Sequence, residues 1–271
     1  MLKVNSILQD YLLERKKVKG YLFIPYVAVG DPNFETSFKV IEALIETGAD
    51  TVELGLPFTD PTADGPVLQE SFERILASDY SLEKVFVFFE KLNKRFPQIP
   101  FCVMGYANVF YHHGFAKIFK RLKSYNIHSY ILPDIPLHEK KGVFKDIFLV
   151  ERKQVDLINF VTPTTKMDRL EKIVADTTGF IYVVSIKGVT GARNSFNLKS
   201  VKSHISYIKK NSNIPVMIGF GISKKSHAKE AIKYADGFII GSKIHLIIKE
   251  FMSDDEKIVE QIKKQIGAIL P

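Results

Sequence analysis

Short apolar runs rich in β-branched residues alternate along this chain with stretches in which apolar positions recur every three or four residues. The runs are YLFIPYVAV (21–29), TVEL (51–54), PFCVM (100–104), SYILP (129–133), LINFV (157–161), FIYVVS (180–185), PVMIG (215–219) and GFIIG (237–241). An apolar run of this length bounded by Gly, Pro or polar residues reads as a strand, and a period near 3.6 reads as an amphipathic helix. Helices are predicted at 5–17, ahead of the first strand, and at 34–48, 81–96, 223–235 and 254–270, with Ser223 placed as the N-cap of the fourth. Strands that are apolar on both faces, each followed by a helix, specify a parallel sheet covered on both sides. Eight such units in 271 residues favour a closed (β/α)8 TIM barrel over an open doubly wound sheet. The longest gap separates the second and third runs, which predicts an extra helix after the 55–66 loop.

No Gly/Ser linker, low-complexity stretch or shift in composition divides the chain, so one domain over residues 1–271 is expected. The net charge of +8 raises the question of nucleic acid, but Lys and Arg are scattered in short clusters such as 14–19, 90–96 and 202–210. That distribution suits solubility and attraction of small anions, not a track for a polymer. A lone Cys102 excludes an internal disulfide and a Cys-rich metal site, and it fits a reducing compartment. The first twenty residues carry many charges and no signal-like apolar stretch. The uncharged segment 97–116 is broken by Pro97, Pro100, Gln98, Asn108 and a histidine pair, which argues against a membrane span. A cytoplasmic protein is expected. His112 and His113 are adjacent, and neighbouring side chains on a regular backbone diverge; without an HxH or HExxH spacing they read as a surface pair, and no metal site is expected.

In a barrel of this type the working face lies at the C-terminal ends of the strands. Glu53 lies within the second strand, sharing a face with Thr51 and opposing Val52 and Leu54. A carboxylate is costly to bury there without a partner, so Glu53 is a candidate acid or base. The loop behind it is constrained by prolines and Gly65 and carries Asp60 and Asp64, either of which is placed to face Glu53 across the mouth. Two carboxylates in unlike surroundings hold different protonation states, one serving as acid and the other as acceptor. Glycine-bearing loops end the last three strands: KGVTGA (187–192), GFGIS (219–223) and IIGSK (240–244). Backbone N–H groups and helix N-termini at such loops suit a phosphate. Tyr26, Tyr106, Phe160 and Tyr182 fall near strand ends and offer an apolar slot for a flat ring.

The stretch VELGLPFTDPTADGP (52–66) resembles the signature of the tryptophan synthase alpha subunit family. PYVAVGDP (25–32), MGYAN (104–108), PDIP (133–136), TPTT (162–165), GVTGAR (188–193), GFGIS and DGFIIGS agree with that family in order and spacing, over nearly the whole chain. The resemblance implies a barrel lyase that cleaves indole-3-glycerol phosphate to indole and glyceraldehyde 3-phosphate. By the same resemblance Glu53 is the general acid/base, Asp64 the carboxylate that holds the indole N–H, and Tyr182 the tyrosine beside the glutamate. Tyr26, Met104, Ile131 and Phe160 fall where the family lines its indole slot. Gly191, Gly221, Gly241 and Ser242 fall at its phosphate site. The resemblance further implies an α2β2 complex with a beta subunit that carries pyridoxal phosphate, no cofactor in this chain, partner contact through Pro57 and Asp60, and closure of the 187–196 loop over substrate. Ile186, Lys187, Thr62 and Pro133 depart from the family pattern, which bears on loop closure, partner signalling and the slot. Two rivals stand beside this reading. A sugar-phosphate isomerase or epimerase barrel shares the glycine loops but leaves the paired carboxylates and aromatic slot unexplained. A catalytically silent barrel that only activates a partner would not need Glu53, Asp64 and Tyr182 together.

Overall fold

Side-chain parity along eight parallel strands sorts the apolar residues into two cores. In the computed structural model, which describes residues 6–136, 155–184, 198–219 and 221–271, the strands close into a barrel in chain order. They are β1 (Leu22–Ala28), β2 (Glu53–Gly55), β3 (Cys102–Met104), β4 (Ser129–Ile131), β5 (Asp156–Val161), β6 (Ile181–Val184), β7 (Val216–Gly219) and β8 (Gly237–Ile240), and β8 pairs back onto β1. Leu22, Ile24, Tyr26, Cys102, Ile131, Ile158, Tyr182, Met217 and Ile239 turn inward. Their alternates Phe23, Val27, Leu54, Val103, Tyr130, Val183, Ile218 and Phe238 turn outward and pack under the helices. Each strand is thus buried on both faces, which is why the runs show no polar alternation.

The helices follow from local chemistry. α1 (Ile7–Lys19) is capped by the Ser6 hydroxyl, which accepts from the Gln9 amide at 2.9 Å. Its Leu8 and Leu12 are fully buried in the inner core and close the floor of the barrel. α2 (Phe34–Glu46) starts at the Asn33 cap and ends just before Gly48, whose φ of +112° suits glycine. Between β2 and β3 lie two helices, α3 (Pro66–Leu76) and α4 (Leu82–Arg95), so the expected extra helix is present. Pro66 opens α3, where its missing N–H costs nothing, and Ser81 caps α4. Then come α5 (Ala107–His113), α6 (Phe115–Ser124), α7 (Met167–Asp176), α8 (Lys202–Asn211), α9 (Lys225–Ile232), α10 (Ser242–Glu250) and α11 (Asp255–Gly267).

Two expectations need correction. Ser223 does not cap its helix: α9 begins at Lys225, with Lys224 in the cap position and no side-chain cap. Gly221, at φ +82°, turns the chain first, and the Ser223 amide points at His227 Nδ1 instead, 3.4 Å away. His112 and His113 are exposed at the end of α5 as expected, but they do not diverge; their rings meet edge to face with centroids 4.8 Å apart. Among the described residues no helix is long and apolar enough to cross a membrane.

Candidate active site

Glu53 opens β2 and lies in register between Tyr26 of β1 and Cys102 of β3. It is 1% exposed, and neither carboxyl oxygen has a hydrogen-bond partner among the described residues. Burial in this dry interior, with Asp64 adding its negative charge, pushes the Glu53 pKa up to about 8. Glu53 is therefore predominantly protonated at neutral pH, and it becomes a base once a reaction has taken its proton.

Asp64 reaches the same space from the loop after β2. A tight turn positions it: the Asp64 amide donates to the Pro61 carbonyl at 3.0 Å, and Gln69 Nε2 donates to the Asp64 carbonyl at 2.9 Å. The Tyr106 hydroxyl donates to Asp64 Oδ2 at 2.6 Å while accepting from the Ala63 amide at 3.0 Å, so the phenol is held in one orientation. Burial raises the Asp64 pKa to about 6, with the Tyr106 bond opposing the rise. Near pH 7 the two carboxyls hold opposite protonation states, Glu53 as acid and Asp64 as anion. Asp60, the other candidate, is exposed and takes a hydrogen bond from its neighbour Thr59. Pro57 is buried within the chain.

Aromatic side chains complete the mouth. Tyr26 and Tyr182 are buried, and both phenols are pushed well above their usual pKa by burial, with the charges of Glu53 and Asp64 adding to the effect. Each ring lies over a glycine: a Cβ on Gly55 would collide with Tyr26, and one on Gly219 with Tyr182. Met104 and Ile131 belong to the same inner cluster, and Phe160 packs on its edge with its ring centroid 4.9 Å from that of Tyr182. Tyr106 does more than line the slot, since it stacks on Phe58 at 5.1 Å while its hydroxyl orients Asp64. Gly241 stands at the N-cap of α10, next to Ser242, and a Cβ there would press on the Tyr26 side chain at 3.3 Å. The N-terminus of α10 therefore adjoins the aromatic slot. Gly221 follows β7, the neighbour of β8. Gly191 and the rest of the 187–196 loop lie outside the described residues, as do Ile186 and Lys187.

Sequence reasoning missed a polar network beneath this site. His245 on α10 is fully buried, its Nδ1 lying 2.8 Å from Asp31 Oδ2 and 3.1 Å from Ser71 Oγ, and its Nε2 accepting from the Ala28 amide at 3.1 Å. Arg74 reaches both oxygens of Asp31, at 2.9 Å each through Nη2. Burial of Asp31 pushes its pKa up, but the His245 hydrogen bond and the Arg74 charge outweigh it and leave the carboxyl below its usual range. Only a polar residue on the apolar face of a helix hinted at this cluster.

Comparison with known proteins agrees with the geometry. The family model described as tryptophan synthase alpha chain matches residues 12–269. The tryptophan synthase alpha chain of Leptospira interrogans is 39% identical over 261 residues, which cover 96% of this chain and 96% of the relative. The alpha subunit from Legionella pneumophila superposes with a TM-score of 0.84 at 26% identity, covering 98% of this chain and 97% of the other. A chain from the tryptophan synthase a2b2 complex of Pyrococcus furiosus superposes with a TM-score of 0.81 at 31% identity, covering 92% and 97%. The chain belongs to the tryptophan synthase alpha chain family.

Proposed function

We propose that this member of the tryptophan synthase alpha chain family cleaves indole-3-glycerol phosphate to indole and glyceraldehyde 3-phosphate, with Glu53 and Asp64 as the pair that moves and holds the protons. The observation that carries the assignment of roles is the contrast between them: Glu53 is buried, unpartnered and protonated, while Asp64 is ionised and held by Tyr106. A retro-aldol split needs an electron sink at the indole ring. Protonated Glu53 delivers its proton to C3 while the Asp64 carboxylate accepts the hydrogen bond of the indole N–H and stabilises the positive charge that develops on nitrogen. Glu53, now a carboxylate, takes the proton of the glycerol hydroxyl next to the bond that breaks. The C–C bond opens, its electrons return to the ring, and the products are indole and an aldehyde. The iminium form of the substrate is itself the sink, so this chain needs no cofactor.

Tyr26, Met104, Ile131, Phe160 and Tyr182 sandwich the indole, with Tyr182 packed beside Glu53. Gly221, Gly241 and Ser242, with Gly191 from the preceding loop, hold the phosphate through backbone N–H groups and the N-terminus of α10. Phosphate binding remote from the reacting carbon provides orientation for the chemical step. Exposed Asp60 borders a surface cavity of about 620 Å³ lined also by Phe58, Thr59, Thr62 and Glu73. This groove is our proposed contact for a beta subunit that carries pyridoxal phosphate, in an α2β2 heterotetramer like that of the Pyrococcus relative; Pro57 would support the loop from beneath. The reaction belongs to the cytoplasm. The test is an indole-release assay on the purified chain, alone and with a beta subunit: slow release alone and faster release with the partner are expected, and no indole under either condition overturns the proposal.

A further inference from the structure

We infer that His245 is a positioning residue that sets the distance between the phosphate anchor on α10 and the Asp64 carboxylate, by tying α10, β1 and α3 together through one buried imidazole. The inference rests on the proposed reaction and adds a residue to it.

Three elements converge on the ring. α10 carries His245 and starts at Gly241 and Ser242, the proposed phosphate site. α3 carries Ser71 and Arg74 and starts two residues after Asp64. β1 carries Tyr26 and ends at Ala28. The strand register explains the contact with Ala28. Pairing of β1 with β8 stops at Pro25 and Ile240, so the last residues of β1 run past the end of their neighbour. The Val29 amide turns to β2, where it donates to the Gly55 carbonyl at 2.9 Å, and by alternation the Ala28 amide faces the β8 side, where no strand remains. His245 Nε2, from the helix that follows β8, accepts that proton at 3.1 Å.

A nitrogen that accepts an amide proton carries none of its own, so the bond to Ala28 assigns the ring's proton to Nδ1. The Nδ1–H faces Asp31 Oδ2 and Ser71 Oγ. The Ser71 hydroxyl donates its own proton to the Val67 carbonyl at 3.1 Å, which leaves its lone pairs for His245 and for Arg74 Nη2 at 3.2 Å. Donors and acceptors match throughout the cluster, and a fully matched buried network has one low-energy arrangement. The imidazole also lies against Tyr26, with ring centroids 6.0 Å apart, so the same side chain backs the slot. A substrate held by its phosphate at one end and its indole nitrogen at the other needs a fixed span, and a displacement of about 1 Å is enough to cost roughly 100-fold in rate.

His245→Asn and His245→Gln separate the bonds. The shorter amide retains a donor for Asp31 but does not reach Ala28, whereas the longer one reaches the Ala28 amide. Folded variants, checked by thermal melting and near-ultraviolet circular dichroism, are compared for cleavage of indole-3-glycerol phosphate and for separate binding of indole and of inorganic phosphate. The expected result for Asn is a fall in kcat/KM of about 10-fold or more, mostly in kcat, with each fragment bound within about 2-fold of wild type; Gln recovers most of the loss. Equal losses for fragments and whole substrate, unchanged turnover, or Gln no better than Asn would overturn the inference. Ser71→Ala, which removes only one contact of the ring, carries the same comparison if neither His245 variant folds. Absence of indole release by the wild-type chain would instead strike the proposed reaction itself.

Discussion

Two pairs of buried carboxylates, Asp50 and Asp236 at the floor and Glu53 and Asp64 at the mouth, have opposite surroundings. At the floor, Asp50 accepts from Arg15 Nε at 3.0 Å, Lys19 Nζ at 2.9 Å and the Phe23 amide at 2.8 Å. Asp236 accepts from the Val216 amide at 2.8 Å, pairs with Lys209 at 3.3 Å and also pairs with Lys16. At the mouth, Glu53 has no bond from any described residue and Asp64 has a single phenol. Both sets are buried, so burial alone does not mark function. What separates them is whether the surroundings satisfy the charge or leave it for a substrate.

Substitution at each end should break this symmetry in opposite directions. The largest expected effect is on turnover: Glu53→Gln lowers kcat for indole release by about 10³-fold or more, since it removes the proton proposed to reach C3, while the protein stays folded. Asp50→Asn does the reverse, leaving kcat of the folded protein near wild type but costing about 3 kcal/mol of stability, because Arg15 and Lys19 lose their counter-charge. Denaturant melts beside indole assays on the same preparations check both, and an inactive but fully stable Asp50→Asn would refute the division.

A smaller effect concerns stability against pH. The folded Glu53 pKa lies near 8, above its usual 4.5, so between those values the folded chain retains a proton that the unfolded chain has released. Stability contributed by this group therefore falls as pH rises through that window. Glu53→Gln should flatten the decline, gaining on the order of 2–4 kcal/mol over wild type by pH 8 and nothing at pH 4. Melting curves across that range decide it. The finest test is the pH dependence of kcat/KM, which should rise near 6 as Asp64 ionises and fall near 8 as Glu53 loses its proton. Residual activity in Asp64→Asn should lack the lower limb.

Much of this was legible in the sequence, for identifiable reasons. The eight runs are buried on both faces, so their composition announces a parallel barrel, and the parity of Glu53 against Val52 and Leu54 points it inward. Asp60 and Asp64 could not be separated by spacing alone. Their difference comes from Tyr106, 42 positions after Asp64, which draws one aspartate inside while the other stays in water. Ser223 looked like a cap because the left-handed turn at Gly221 is not visible in a pattern of apolar residues. His245 meets Ser71, Asp31 and Ala28 across 174, 214 and 217 positions, distances at which no local rule applies.

Below Glu53 the barrel is stoppered: Leu22, Ile24, Cys102, Phe180 and Met217 fill the interior, and Leu8 and Leu12 of α1 seal it from underneath, each fully buried or nearly so. Among the described residues the barrel is thus a cup and not a pipe, filled at the floor, so whatever sits on the rim is placed to control what enters and leaves. A neighbour that covers the rim is placed to retain a small apolar molecule held over Glu53, because among the described residues the floor beneath is closed.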